Sequence, residues 1–157
     1  MTRSMHSLKA VVAAAVLVTA TSVWAQVRIG VITSGTGASA FVGIPQKNAV
    51  ELLPKKIGQL DVRYIPYDDA SEPTTTVQLA KKLISEHQVD AIIGPSGSPN
   101  AVALIPFVAE ARVPMLAPVG NSMLVLPMDD QKRWVFKTHP NDDVVSRTLV
   151  AAMVERG

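Results

Sequence analysis

The chain has 157 residues, 15 Lys and Arg against 13 Asp and Glu, 4% aromatic residues and no cysteine. Without cysteine neither a disulfide framework nor a lipid-modified cysteine can form, and interspersed charge with few aromatic rings excludes a nucleic-acid surface, which needs a basic stripe and stacking side chains.

Residues 1–25 carry Arg3 and Lys9, an uncharged apolar stretch from Ala10 to Val23, and Val23-Trp24-Ala25 with a small residue at the cut. That is the layout of a secretory signal peptide, and the apolar stretch is shorter than the roughly 18 to 20 residues a bilayer-spanning helix needs. Cleavage would start the mature protein at Gln26 and remove two basic residues and no acidic one, leaving 13 of each sign. An exported chain with no formal net charge is expected.

From Gln26 onward, 132 residues suffice for one domain with a core and not for two. The pattern predicts a strand at Val27–Thr33, a helix from about Pro45 to Ile57 with proline in its first turn, and a strand at Asp61–Tyr67. Ser71-Glu72-Pro73 opens a helix to about His87, with Val77, Leu79, Ala80, Leu83 and Ile84 near helical spacing. Next come a strand at Asp90–Ile93, a helix at about Pro99–Ala111 and a strand at Val113–Ala117. Met123–Arg133, with Pro127 and Asp129-Asp130, reads as an excursion from the sheet. Trp134–Thr138 then reads as a strand, and Asn141-Asp142 as the cap of a helix over Asp143–Arg156. This rhythm predicts an α/β fold, a doubly wound parallel sheet. The ending at Arg156-Gly157 is a helix C-terminus signal that normally leads into another strand, so a piece of a longer protein is expected.

Three strand ends, Ile29–Thr36, Ala91–Ser98 and Met115–Ser122, break into turns of small polar residues. In a parallel sheet all three lie on one edge, where free backbone N–H groups can hold a ligand. Two other readings of these turns are weaker. Gly35-Thr36-Gly37-Ala38-Ser39-Ala40 matches G-x-G-x-x-A, with Asp68-Asp69 after the second strand, but Gly43 and Pro45 imply a late helix start. Gly37 to Asp68 is also 31 positions, longer than the usual ~20. Gly94-Pro95-Ser96-Gly97-Ser98 resembles a nucleophile elbow but lacks the closing glycine, and only His87 and His139 remain as bases in the mature chain. An exported enzyme would need one of them near Ser96 or Ser98. No His, Asp or Glu spacing suggests a metal, and no cofactor is expected.

Gln26–Gly37 with Gly43–Glu51, Tyr67–Pro73 with Val77–Ile84, Ile93-Gly94-Pro95 with Ser98, Val113–Pro118, and Phe136-Lys137-Thr138 with Asn141-Asp142 together resemble the leucine/isoleucine/valine-binding type of periplasmic substrate-binding protein. The resemblance covers nearly all of residues 26–157. It implies the N-terminal portion of a periplasmic, two-lobed receptor that captures an amino acid or other small carboxylate and delivers it to the membrane permease of an ABC importer. The second lobe would be absent. It also implies Ser98 as a carboxylate grip, with the backbone of Val119 and the side chain of Asn121 facing ligand, where many members have a hydroxyl residue in place of Asn121. Phe41 or Val42 stands where a bulky residue covers the ligand. Ser96 shares the Ser98 turn and is a further candidate.

Each candidate has an ordinary structural alternative: a helix cap for Ser98, a tight turn for Asn121, lobe packing for Phe41 or Val42. Asp68, Asp69 and Ser71 are expected to organise their loop and cap the next helix. One lobe alone offers half a cleft and would expose apolar surface, so a fragment that binds nothing is the remaining alternative.

Overall fold

The structure is a computed structural model that describes residues 26–157; the signal-peptide reading of residues 1–25 lies outside the described residues. Strand β1 (Gln26–Thr33) is followed by helix α1 (Ala40–Val50), strands β2 (Lys56–Ile57) and β3 (Leu60–Asp68), and helix α2 (Pro73–Ser85). Then come β4 (Ala91–Ile93), α3 (Ser98–Ala111), β5 (Met115–Ala117), two single 3-10 turns, β6 (Val135–Lys137) and α4 (Asp142–Arg156).

The strands form one sheet in the order β2-β3-β1-β4-β5-β6. All neighbours are parallel except the β2–β3 hairpin. The chain winds from β1 outward to β3 and then returns to place β4 on the other side of β1. Such a reversal leaves a crevice beyond the carboxyl ends of β1 and β4, because the connections there diverge to opposite faces. The doubly wound α/β sheet expected from the sequence is therefore present.

Helices α2 and α3 share one face and close the core over it: Ile32, Ile65, Ala80, Leu83, Ile92, Leu104, Val108 and Met115 form a single buried cluster. On the opposite face α1 packs on β1 and, with β3, lines a cavity. Register places Val31, Ile93, Leu116 and Phe136 side by side across that face. Val31 is buried beneath α1, whereas Leu116 and Phe136, further from it, are exposed.

Helix α1 departs from its predicted span. It starts at Ala40, carries Pro45 inside it and ends at Val50; Lys56–Ile57 instead pairs with Leu60–Asp61 as a hairpin edge. Pro45 is exposed, so its missing N–H and its ring lie on the solvent side. Gly43 decides where the helix sits: a Cβ there would overlap the Ser34 carbonyl, so glycine lets α1 lie directly against the end of β1. Packing outweighs the local proline signal.

Helix α4 stands apart. None of its residues is buried, and Val144, Val145, Leu149, Val150, Met153 and Val154 are all exposed. At 100° per residue these side chains are spread around the helix rather than gathered on one stripe, the pattern of a helix that is enclosed when covered. It is joined to the sheet at its first turn, where the Asp142 N–H donates to the Gly120 carbonyl at 3.0 Å.

Two truncations separate core from bare face. Leu104→Ala, at a fully buried position, is expected to cost about 2–5 kcal/mol in urea denaturation, while Phe136→Ala on the uncovered face should change stability by only about 0.5 kcal/mol.

Candidate functional site

The turns after β1, β3 and β4 meet around one buried carboxylate. Asp69 is fully buried. Its Oδ1 accepts the Ser34 hydroxyl at 2.8 Å and the Ser71 N–H at 3.0 Å, and its Oδ2 accepts Thr76 Oγ1–H and Asn100 Nδ2–H, both at 2.8 Å. Asn100 also donates to Thr76 Oγ1 at 2.7 Å. Thr76 lies in the first turn of α2 and Asn100 in the first turn of α3, so one side chain joins two helix N-termini to two strand ends. Four neutral donors around a carboxylate offset the cost of removing it from water.

Ser34 extends the node: its N–H donates to Ser96 Oγ at 3.1 Å. Ser96 is buried, and its hydroxyl ties the β1 turn to the β4 turn. Gly94 makes that approach possible. Its φ is +107°, and a Cβ there would collide with the Ile32 carbonyl.

Asp68 organises the outer turn. Its Oδ1 accepts N–H groups from Ala70 at 2.9 Å and Thr36 at 3.2 Å. Partial desolvation pushes its pKa up, but hydrogen bonds from the Ala70 N–H, the Thr36 hydroxyl and N–H, and the Gly35 N–H outweigh it, and the net value lies below the ordinary aspartate range. Ser71 donates to the Thr36 carbonyl and accepts the Ser39 N–H, each at 2.9 Å. These acids and Ser71 thus organise the loop as expected. The cap position of α2, however, belongs to Glu72, which makes no side-chain cap. At α4, Asn141 occupies the cap position but its Oδ1 takes Lys137 Nζ at 2.6 Å instead of a helix N–H.

The late helix start expected from Gly43 and Pro45 is not observed, because α1 begins at Ala40, directly after the glycines. A stronger reason against a dinucleotide turn takes its place: the Thr36 and Ser39 N–H groups, which would face a pyrophosphate, already donate to Asp68 and Ser71. Around the elbow-like turn, Ser96 contacts the Ser34 backbone, while His87 Nε2 lies 2.9 Å from the Tyr67 hydroxyl and His139 Nδ1 lies 3.3 Å from Thr138 Oγ1. Among the described residues no group of three or more His, Asp or Glu side chains gathers as a metal-ligand set.

Ser98 is the first residue of α3, and Gly97 holds the cap position without a side-chain cap, so the Ser98 hydroxyl is not the helix cap. Pro99 has no N–H. The first turn therefore presents the Ser98 and Asn100 N–H groups at the positive end of the helix dipole, beside the β1–β4 crevice. Val119 is buried in the core and offers backbone only. Asn121 caps the 3-10 turn Ser122–Leu124 by accepting the Met123 N–H at 2.9 Å. Phe41 and Val42 sit in the first turn of α1, Phe41 80% exposed and Val42 half-buried. Phe41 is not packed within this lobe. A cavity of about 350 Å³ lies on the far side of β1, lined by Thr36, Ile44, Lys47, Asn48, Pro66 and Asp68 among others, and includes none of the six candidates.

Sequence patterns single out the turns but not the node that holds them. Asn100 reads as helix interior, and Thr76 as one of three consecutive threonines; neither has a local signal pointing to Asp69. Lys137, which donates to the Gly120 carbonyl at 2.8 Å, the Pro140 carbonyl at 3.3 Å and Asn141 Oδ1, is equally silent in sequence.

The sequence profile of the family described as "Periplasmic binding protein" matches residues 26–157. An extracellular ligand-binding receptor from Rhodopseudomonas palustris HaA2 is 40% identical with a TM-score of 0.82, over 85% of this chain and 37% of that one. A solute-binding protein of an ABC transporter from Rhodopseudomonas palustris BisB5, in complex with 3,4-dihydroxybenzoic acid, is 25% identical with a TM-score of 0.67, over 74% of this chain and 32% of its own. A leucine-binding protein from Thermotoga maritima is 28% identical with a TM-score of 0.64, over 74% and 33%. The chain thus spans under two-fifths of the length of these relatives. Among curated proteins none matches.

Two measurements check the site's scaffold. Asp69→Ala removes the acceptor that four donors share and leaves the buried Ser34 hydroxyl without one, and it is expected to cost about 3 kcal/mol in urea denaturation. Asp68 has a depressed folded-state pKa, so its contribution is fully present above the unfolded value of about 3.9 and is lost as pH falls through the lower folded value. The Tm difference between the unsubstituted chain and Asp68→Asn should therefore be constant near neutral pH and vanish in acid below that window.

Proposed function

The chain belongs to the periplasmic binding protein family, and from that membership we propose that it is the N-terminal lobe of an exported receptor that captures a small carboxylate-bearing ligand, an amino acid or a related acid, and delivers it to the membrane permease of an ABC importer. The family and the similar structures are substrate-binding proteins rather than enzymes. The observation that carries the reading is the α3 N-terminus. It opens at the carboxyl end of β4, beside the topological switch point, with the Ser98 hydroxyl free of any cap role.

In this reading the ligand carboxylate accepts hydrogen bonds from the Ser98 hydroxyl and the α3 first-turn N–H groups, where the helix dipole favours negative charge. The turn after β5 supplies the Val119 backbone and the Asn121 side chain. Phe41 covers the ligand from α1, with Val42 behind it. Ser96 supports from below, holding the β1 and β4 turns together. The relatives that bind 3,4-dihydroxybenzoic acid and leucine bracket the chemistry: both ligands carry a carboxylate, and only one carries an ammonium group.

The test is thermal denaturation of the chain against amino acids and small carboxylates. A ligand at about 100 times its Kd adds roughly 2.7 kcal/mol and raises Tm by several degrees. Ser98→Ala removes a hydrogen bond to a charged group and is expected to weaken binding about 10- to 100-fold. A folded chain with no shift for any ligand would overturn recognition by this lobe alone.

A further inference from the structure

Helix α1 is seated on β1 and leaves part of β3 uncovered. At its start Gly43 lies so close to the Ser34 carbonyl that a Cβ would overlap it. Beyond its end the Tyr64 hydroxyl donates to the Pro54 carbonyl at 3.0 Å, tying the segment after α1 to β3. Held at both ends, α1 leaves open the cavity of about 350 Å³ between itself and the carboxyl end of β3. That volume falls at the small end of the ~300–1,000 Å³ usual for ligand pockets.

The two walls carry opposite charges. On the sheet wall Thr33 and Asp68 stand side by side in the β1–β3 register. Thr33 is only 5% exposed, yet its hydroxyl takes no partner from the described residues. A hydroxyl so enclosed is ordinarily hydrogen-bonded, and the cavity it lines is where a partner would sit. Asp68 stays ionised at neutral pH because the Ala70 and Thr36 N–H groups hold its carboxylate. On the helix wall stand Lys47 and Asn48, whose side chains meet no ion-pair or hydrogen-bond partner among the described residues. Lys47 and Asp68 thus line one cavity without pairing with each other. Ile44 and Pro66 add one apolar surface to each wall. A simple anion drawn to Lys47 is repelled by Asp68, and a simple cation meets the reverse; a molecule carrying both charges satisfies both walls.

We infer that this cavity is a second small-molecule site, separate from the Ser98 crevice, and that its ligand is a small zwitterion. The ligand carboxylate accepts from Lys47 Nζ and Asn48 Nδ2, its cationic nitrogen lies between Asp68 and the Thr33 hydroxyl, and its carbons rest on Ile44 and Pro66. The inference does not depend on Ser98 as a carboxylate grip, because none of the six candidates of that reading lines the cavity.

The experiment is a 15N-NMR titration of the purified chain with leucine and with 4-aminobutanoate, whose charges are one and three carbons apart. Each is compared with the acid and the amine of its own skeleton: 4-methylpentanoate and 3-methylbutylamine, butanoate and butylamine. At least one zwitterion should move the Asn48 side-chain amide and the Gly35 and Thr36 N–H signals saturably, and bind about threefold or more tighter than its acid and its amine. Lys47→Gln, at an exposed position, should weaken that zwitterion about threefold and leave the amine unchanged. Thr33→Val removes a hydroxyl that bonds nothing within the chain, so it should weaken the zwitterion without lowering Tm; a lowered Tm would give that hydroxyl a structural role and overturn its place in the site. Ser98→Ala should leave these signals and their affinities as they were, whereas their loss in Ser98→Ala would make the response an echo of the crevice and overturn the second site. Acid or amine binding as tightly as the zwitterion overturns the ligand class, and no movement of these signals with any of the six compounds overturns the site.

Discussion

A carboxylate enclosed away from water is tolerated only when its oxygens are met by donors, and Asp69 is met by four that come from four different segments. The side chain therefore acts as a clamp. It sets the β1 turn through Ser34, the β3 turn through Ser71, and the first turns of α2 and α3 through Thr76 and Asn100. The direction of the α3 N-terminus, and with it Ser98, follows from that clamp, because Asn100 lies two residues beyond Ser98 in the same turn. Ser96 completes the link by taking the Ser34 N–H, so the β1 and β4 turns move as one unit.

The sheet's winding gives the clamp its consequence. Since β3 and β4 flank β1 on opposite sides, α1 and the α2–α3 pair lie on opposite faces, and no connection crosses the space beyond β1 and β4. Into that space the fold aims hydrogen-bond donors. Asp68 and Asp69 are held by their own loops, and the Gly120 carbonyl is held by Lys137 and the Asp142 N–H. An open helix N-terminus at that edge favours anions through its free N–H groups and its dipole.

The edge of the lobe is built differently. Val119, Leu124 and Val135 reach the core, but on the opposite face Leu116 and Phe136 are bare, and α4 is exposed along its length. What holds the start of α4 is polar, namely Lys137 reaching across to Gly120, Pro140 and Asn141, and the Asp142 N–H returning to Gly120. Gly120 is thus shared between the proposed ligand turn and the attachment of α4, so a change at one is felt mechanically at the other.

Much of this was legible from local pattern. Alternating or continuous apolar runs located β1, β3, β4, β5 and β6 to within two residues, because burial on a sheet imposes its period directly on the chain. The α1 start was not, because Pro45 and Gly43 argue locally for a later helix while the close contact of Gly43 with Ser34 exists only once β1 and α1 are packed. The β2 edge was missed for a related reason: two residues carry no period, and only their pairing to β3 makes them a strand. Among the candidates, Ser98 and Ser96 are close in sequence and read alike, yet one opens a helix and the other is buried against Ser34. By itself the sequence determined the order of elements, the winding of the sheet and the edge on which its small polar turns gather, since these follow from periodicity and handedness. Only the tertiary structure decided that Asp69 would bind Thr76 and Asn100 and that Lys137 would meet Gly120, since each joins groups whose meeting depends on the packed sheet and its turns.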